Sequence, residues 1–296
     1  LLIATLIAAG SLNQDRIDEA LRLLASARVD AETWSWLDEG DAADVMVEEA
    51  PERLQEIRLM LERGLMGLDV VVQPAEGRVK RLLVADMDST MIGQECIDEL
   101  ADYAGMKDEI AAVTDAAMRG EIDFATALHQ RVAALNGLST HCIQRCREER
   151  IRPNPGARTL VQTMRARGAG TLLVTGGFHD FADPTAAELG FTEVRANHLD
   201  SIHGHLTGLV TGEIVDSAAK CEALIKRRTQ MGIEPAAVLA VGDGANDAPM
   251  IAEAGLGVAY HGKPKLREVA DARIDHNDLT ALLWAQGIRR AEWVTG

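Results

Sequence analysis

The sequence predicts an α/β protein: a doubly wound core, a helical cap inserted after the first core strand, and a small α+β module in front. Three observations carry this. Short apolar runs with the length of buried parallel strands recur at 82–85, 171–174 and 237–241, and each ends abruptly in acidic, hydroxyl or glycine residues. Between the first two runs, residues 94 to about 150 show helical patterning and no strand. Ahead of them, residues 1–78 alternate strands and helices in a pattern of their own.

In the leading module, residues 2–8 read as a strand, and Asn13 can cap a helix with Ile17, Leu21 and Leu24 on one face. Residues 33–37 and 45–47 are short strands about the turn Asp38-Glu39-Gly40-Asp41. Pro51 suits the first position of a helix carrying Leu54, Ile57 and Leu61, which Gly64 stops before a strand at 68–72. The order βαββαβ is ferredoxin-like. In that order it resembles the ACT-type regulatory modules, which often bind amino acids. Packing or dimerisation without a ligand is the equally open alternative. Pro74-Ala75-Glu76-Gly77 supplies a linker, so the expected boundary falls between 1–78 and 79–296.

After the first core strand, helices are expected at 95–103, 107–118, 124–135 and from Ser139 or Thr140 to Arg150, a cap at about 93–150 placed over the sheet's rim. Glu95 and Arg131 are its most interesting charges; as plain exposed helix charges they would need no function. Pro153-Asn154-Pro155-Gly156 then breaks the chain before a basic amphipathic helix at 157–167. His203-Gly204-His205 could be metal ligands, but the central glycine favours a hairpin turn with solvent-facing imidazoles. Further strands are expected at 255–259 and 272–275.

Composition bounds the function. A formal charge of −16 argues against a nucleic-acid or anionic-membrane surface, so a phosphorylated ligand needs a local positive site. Aromatic residues are only 3% of the chain, and the core must therefore be aliphatic. Cys96, Cys142, Cys146 and Cys221 have neither disulfide-framework nor zinc spacing and read as thiols in a reducing cytosol. Residues 1–10 have the apolarity of a signal-peptide core without its basic flank or cleavage site, and the missing initiator Met points to trimmed numbering. No stretch approaches the length of a membrane span, and a cytoplasmic location is expected.

The chemistry sits at the strand ends. Asp86-Met87-Asp88-Ser89-Thr90 puts a carboxylate pair at the carboxyl end of a strand, where open α/β sheets bind ligands. Thr175-Gly176-Gly177-Phe178 offers a hydroxyl and close-approaching amides to a phosphate. Gly242-Asp243-Gly244-Ala245-Asn246-Asp247 adds a second carboxylate pair, and Lys220, near a helix start, can supply a cation. Clustered carboxylates at one rim repel unless a cation sits among them, and hard oxygen donors favour Mg²⁺. One carboxylate can then attack phosphorus, while Asp88 lies where it can protonate a leaving alcohol and later deprotonate water.

These segments resemble the four motifs of the haloacid dehalogenase superfamily of phosphatases. Across roughly 80–285 the chain is similar to its phosphoserine phosphatase branch, with matches that include Ile92-Gly93-Gln94-Glu95, Ala117-Met118, Asp123-Phe124, Gln130-Arg131-Val132, Ala196-Asn197 and Leu206-Thr207-Gly208. The resemblance implies a Rossmann-like core and Mg²⁺-dependent hydrolysis of O-phospho-L-serine, the last step of serine biosynthesis. It implies Asp86 as nucleophile and Asp88 as general acid and base. It further implies a metal held by Asp86, the Asp88 carbonyl and Asp243 with support from Asp247. Thr175, Gly176 and Lys220 would hold the phosphate; Glu95 and Arg131 would answer the substrate's ammonium and carboxylate; Met118, Phe124 and Asn246 would complete the substrate site. Two departures stand out: Thr175 where the family usually has Ser, and Pro184 in the next helix, whose first turn is therefore expected to differ. A sibling phosphatase or phosphotransferase, and an amino-acid-sensing regulatory protein, are the competing readings.

Overall fold

The computed structural model describes residues 1–31, 33–118 and 121–295; the side chains of residues 109, 115, 117 and 118 lie outside that description. The chain begins with β1 (Leu2–Ile7), α1 (Gln14–Ser26), β2 (Trp34–Asp38), β3 (Ala42–Val47), α2 (Leu54–Gly64) and β4 (Asp69–Pro74). The Asn13 side chain accepts from Arg16 N at 3.1 Å and starts α1. Pro51 opens a single tight turn that leads into α2. The four strands form one antiparallel sheet in the order β2-β3-β1-β4, the ferredoxin-like arrangement expected from the element order.

The rest of the chain builds a seven-stranded sheet. Its elements are β5 (Leu82–Ala85), α3 (Cys96–Tyr103), α4 (Lys107–Met118), α5 (Phe124–Ala134), α6 (Thr140–Arg150), α7 (Ala157–Ala166), β6 (Gly170–Phe178), α8 (His179–Leu189), β7 (Glu193–Ile202) and β8 (His205–Thr211). They continue with α9 (Ser217–Gln230), β9 (Val238–Gly242), α10 (Ala248–Ala252), β10 (Leu256–Tyr260), α11 (Pro264–Val269), β11 (Ala272–Ile274) and α12 (Ala281–Ala285). The order is β11-β10-β9-β5-β6-β7-β8, parallel except for the β7–β8 hairpin. β5 is central and buried on both faces. Leu83 and Ala85 face a core shared with α7, α8 and α12, whereas Leu82 and Val84 face one shared with α9, α10 and α11.

Several sequence boundaries shift slightly. The strand expected at 171–174 runs from Gly170 to Phe178, because its continuation pairs with β7 through Phe178 and Asn197. Pro184 lies within α8 without moving its start from His179. His203 and Gly204 form the tip of the β7–β8 hairpin, as their spacing suggested. That hairpin docks on the cap, with Leu206 N donating to Leu138 O and Gly137 N to Leu206 O, each at 2.8 Å.

The leading sheet is not set apart from this core. Val70 and Val72 pack with Ile17, Leu24, Ile57 and Leu61 under α1 and α2, while Val71, Ile7 and Ala42 join the cluster that contains Leu282 and Trp284. Two buried carboxylates fasten the joint. Arg78 grips Asp44 with two nitrogens, each at 2.6 Å, and donates to Thr5 Oγ1 at 2.9 Å. The Asp69 carboxylate accepts from the backbone N–H of Asp275 (2.8 Å), His276 (3.1 Å) and Asn277 (2.9 Å), and from Asn277 Nδ2 (2.8 Å). Removing that acceptor strands several donors at once. Asp69→Ala is expected to lower the unfolding free energy by about 3 kcal/mol, read as a lower urea midpoint at unchanged slope. A loss under about 0.5 kcal/mol would contradict this account of the joint.

Candidate active site

Four neighbouring parallel strands, β6, β5, β9 and β10, end at one rim. The chain leaves β5 toward β6 on one side and later returns to β9 on the other, so β5 is the switch point where a crevice opens. Asp86 follows β5, Thr175 to Gly177 end β6, Asp243 follows β9, and Lys263 lies just beyond β10.

Asp86 leaves the strand in extended conformation, and its carboxylate accepts from Met87 N at 2.8 Å. Asp88 is also extended, but Ser89 adopts φ 55°, a left-handed turn uncommon for a residue with a side chain. That turn brings Cys96 N within 3.2 Å of Asp88 Oδ1 and Ser89 Oγ within 2.8 Å of Glu95 Oε1. Asn154 holds the loop from below: its amide donates to Thr90 O at 2.8 Å and Ile92 O at 3.2 Å, and its N–H to Met91 O at 2.9 Å. On the β6 side, a Cβ at Gly177 would lie 3.0 Å from Asp88 Oδ2 and 3.2 Å from Thr175 Oγ1, so the close approach of the two loops needs glycine there. Thr175 Oγ1 accepts from Gly177 N at 2.9 Å. Asn197 Nδ2 donates to Gly176 O, and its Oδ1 accepts from Val215 N, both at 2.8 Å.

Asp216 caps α9 through Ala219 N at 2.9 Å, which sets Lys220 in the first turns and points it inward. Lys220 is 1% exposed, and its ammonium lies 2.8 Å from Asp86 Oδ1 and 2.8 Å from Asp247 Oδ1. Burial opposes its charge, but the two carboxylates prevail and hold its pKa above the usual lysine value. Asp86 is pushed well up by burial first and by Asp247 second, against the pull of Lys220. Asp88 is raised to about 7 by burial and then by Glu95. Asp243 is raised by burial despite Lys263, whose Nζ lies 3.1 Å from Asp243 Oδ2.

Asp86, Asp243 and Asp247 each offer an oxygen, all within 4.8 Å of one another. Three buried carboxylates against one buried ammonium leave negative charge uncompensated, and an all-oxygen donor set fits a small hard divalent cation. The Asp88 carboxylate is outside this cluster and bonds to α3 instead.

The cap closes the crevice. Its two connections run side by side, with Gly93 N donating to Arg152 O at 3.2 Å and Ile92 paired with Pro153. Beneath it lies a cavity of about 260 Å³, lined by Asp86, Asp88, Thr175, Gly176, Lys220 and Asn246 on the sheet side. Glu95, Phe124 and Arg131 line the cap side. Phe124 rests on the β6 loop, 3.1 Å from where a Cβ on Gly176 would stand. Arg131 is partly buried, which lowers its pKa, while Asp98, Glu95 and Asp88 favour its charge. All the sequence-predicted residues thus line the cavity or adjoin it, except Met118, which ends α4 with its side chain outside the described residues.

Lys263, Asn197, Asn154 and Ser89 were not given roles from sequence. Lys263 follows a fourth apolar run at a strand end, the same signal that marked Asp86 and Asp243, but a lysine after a glycine reads as solvated. The two asparagines act through backbone groups distant in sequence, which no local pattern shows.

The sequence profile of the haloacid dehalogenase-like hydrolases matches residues 83–252. A protein from Polaromonas sp. named phosphoserine phosphatase is 48% identical over 69% of this chain and 88% of its own length. One of the same name from Streptomyces coelicolor is 43% identical over 79% of this chain, which spans only 57% of that longer protein. A solved structure described as a phospho-aspartyl intermediate analogue of phosphoserine phosphatase superposes with a TM-score of 0.64 at 37% identity, over 70% of this chain and 98% of that one.

Lys220 sets the pH response of the metal-free protein. Lys220→Met leaves Asp86 and Asp247 buried without a counter-charge, a loss of about 3–5 kcal/mol at pH 8. Asp86 is raised above its unfolded value, so the native state holds the extra proton and stability falls as pH rises between the two. The deficit is therefore expected to shrink toward pH 5, as chemical denaturation in chelator would show. A deficit that is constant with pH would contradict the assignment.

Proposed function

The chain belongs to the haloacid dehalogenase-like hydrolase family, and we propose that it hydrolyses O-phospho-L-serine to serine and phosphate. One observation carries the choice of substrate. The cavity has a phosphoryl-transfer floor, Asp86, Asp88, Thr175, Gly176 and Lys220, and a roof that bears one anion and one cation, Glu95 and Arg131. A phosphate monoester with a zwitterionic tail answers both surfaces.

Asp86 attacks phosphorus as the bond from phosphorus to the seryl oxygen breaks. Asp88 donates its proton to that oxygen, and serine leaves with Asp86 carrying the phosphoryl group. A water molecule then gives a proton to the Asp88 carboxylate and attacks phosphorus. The Asp86 oxygen departs with the bonding pair, and phosphate is released. A pKa near 7 suits Asp88 to both halves, since it can give and regain a proton at neutral pH. Thr175, the Gly176 amide and Lys220 hold the phosphoryl oxygens, with Asn246 beside them. Phe124 shields the ester from bulk water.

Mg²⁺ fits the acidic cluster, where Asp86, the Asp88 carbonyl and Asp243 would hold it with support from Asp247. It would supply charge neutralisation for the phosphoryl group during transfer. Among the described residues no helix is long and apolar enough to cross a membrane, and a biosynthetic step on a small polar metabolite belongs in the cytoplasm. The leading module serves as a regulatory or dimerising unit.

The roof separates this substrate from its rivals. A buried zwitterion must have both charges answered. Arg131→Ala is expected to reduce kcat/KM for phosphoserine by roughly 2–4 kcal/mol, and Glu95→Gln to act similarly at the ammonium end. Hydrolysis of an aryl phosphate without the amino-acid tail should change far less in both. Equal losses on the two substrates would leave a phosphatase of another small phosphorylated alcohol.

A further inference from the structure

Lys263 lines the same cavity as Asp86 and Asp88 and stands beside Asp243. Its backbone N–H donates to Asp243 O at 2.8 Å, and its Nζ lies 3.1 Å from Asp243 Oδ2, so one residue holds the same aspartate at both ends. The preceding loop is built for this. His261 adopts φ 45°, in the left-handed region, with its ring 4.4 Å from that of Tyr260, and Pro264 begins α11 directly afterwards. The Lys263 backbone is thus fixed, while its side chain, 62% exposed, keeps freedom to swing.

Among the described residues three cations line the cavity: Lys220, Arg131 and Lys263. Lys220 already spends two of its donors on Asp86 and Asp247, and Arg131 stands on the cap side. A phosphoryl group brings up to two negative charges to this centre. A divalent cation that takes an Asp243 oxygen would both satisfy that carboxylate and repel the ammonium beside it. The freed ammonium would then face the cavity that the phosphoryl group enters.

We propose that Lys263 is a second cationic ligand of the phosphoryl group, paired with Asp243 in the metal-free protein and turned to the phosphoryl oxygens once a divalent cation occupies the acidic cluster. This rests on the phosphoryl-transfer reading of the site but not on the identity of the alcohol.

The test is calorimetry on the full chain with two probes, Mg²⁺ alone and inorganic phosphate at saturating Mg²⁺. Loss of the competing charge in Lys263→Met should tighten Mg²⁺ about tenfold and weaken phosphate about tenfold, and Lys263→Arg should retain phosphate affinity near wild type. Opposite signs for the two probes are the signature, because a merely structural role would weaken both. Unchanged phosphate affinity in Lys263→Met, or weakening of both probes, overturns the proposal. A wild-type protein that binds neither probe would instead overturn the phosphoryl-transfer reading itself.

Discussion

A single ammonium, that of Lys220, lies buried between Asp86 and Asp247. Bringing two carboxylates into a dry strand-end crevice is unfavourable unless a cation meets them, and the two negative charges in turn keep the lysine protonated. The rest of the rim is arranged around this contact. The cap at Asp216 aims the lysine, Asn197 ties the segment before α9 to the loop that ends β6, and glycine at 242 leaves room for the Asp247 carboxylate against the strand end. What remains uncompensated is negative charge at Asp243, which Lys263 meets in part and a divalent cation would meet fully.

Much of this was legible because Asp86, Thr175 and Asp243 each follow directly on, or end, a buried apolar run. Parallel strands side by side carry their ends to one place, so 82–85, 171–174 and 237–241 were enough to place Asp86, Thr175 and Asp243 together. The cap helices were legible from periodicity and caps; α4 and α6 have the bounds their patterns gave. Less was available where function depends on long-range backbone contacts. Nothing local to Asn154 or Asn197 shows which carbonyls they hold. The left-handed turn at Ser89, which hands its hydroxyl to Glu95, is a backbone conformation its residue type does not advertise. Lys263 carries no sequence signal of its place, because a charged residue in a short loop is usually solvated.

The joint between the leading sheet and the core was also hidden in sequence. A linker at 74–77 suggested separation, yet Val71 and Ile7 belong to the catalytic core's cluster. A polar residue such as Asp69 at a strand start looks like an ordinary turn acid. In the structure it orders residues 275–277, and Leu279 N then donates to Pro155 O, next to the Asn154 that supports the Asp86 loop. The module therefore lies one loop away from the catalytic turn, close enough in contacts for its packing to matter to the site.

In the proposed reaction Asp86 carries the phosphoryl group between the two half-reactions. The direct measurement is rapid acid quench of the wild-type protein turning over phosphoserine with Mg²⁺, followed by mass analysis of its peptides. A phosphoryl group on the peptide containing Asp86, lost on alkaline treatment as an acyl-phosphate is, is the expected result. A phosphoryl group on Thr175 or another residue, or turnover with no phosphorylated peptide even where product release is slowed, would contradict it.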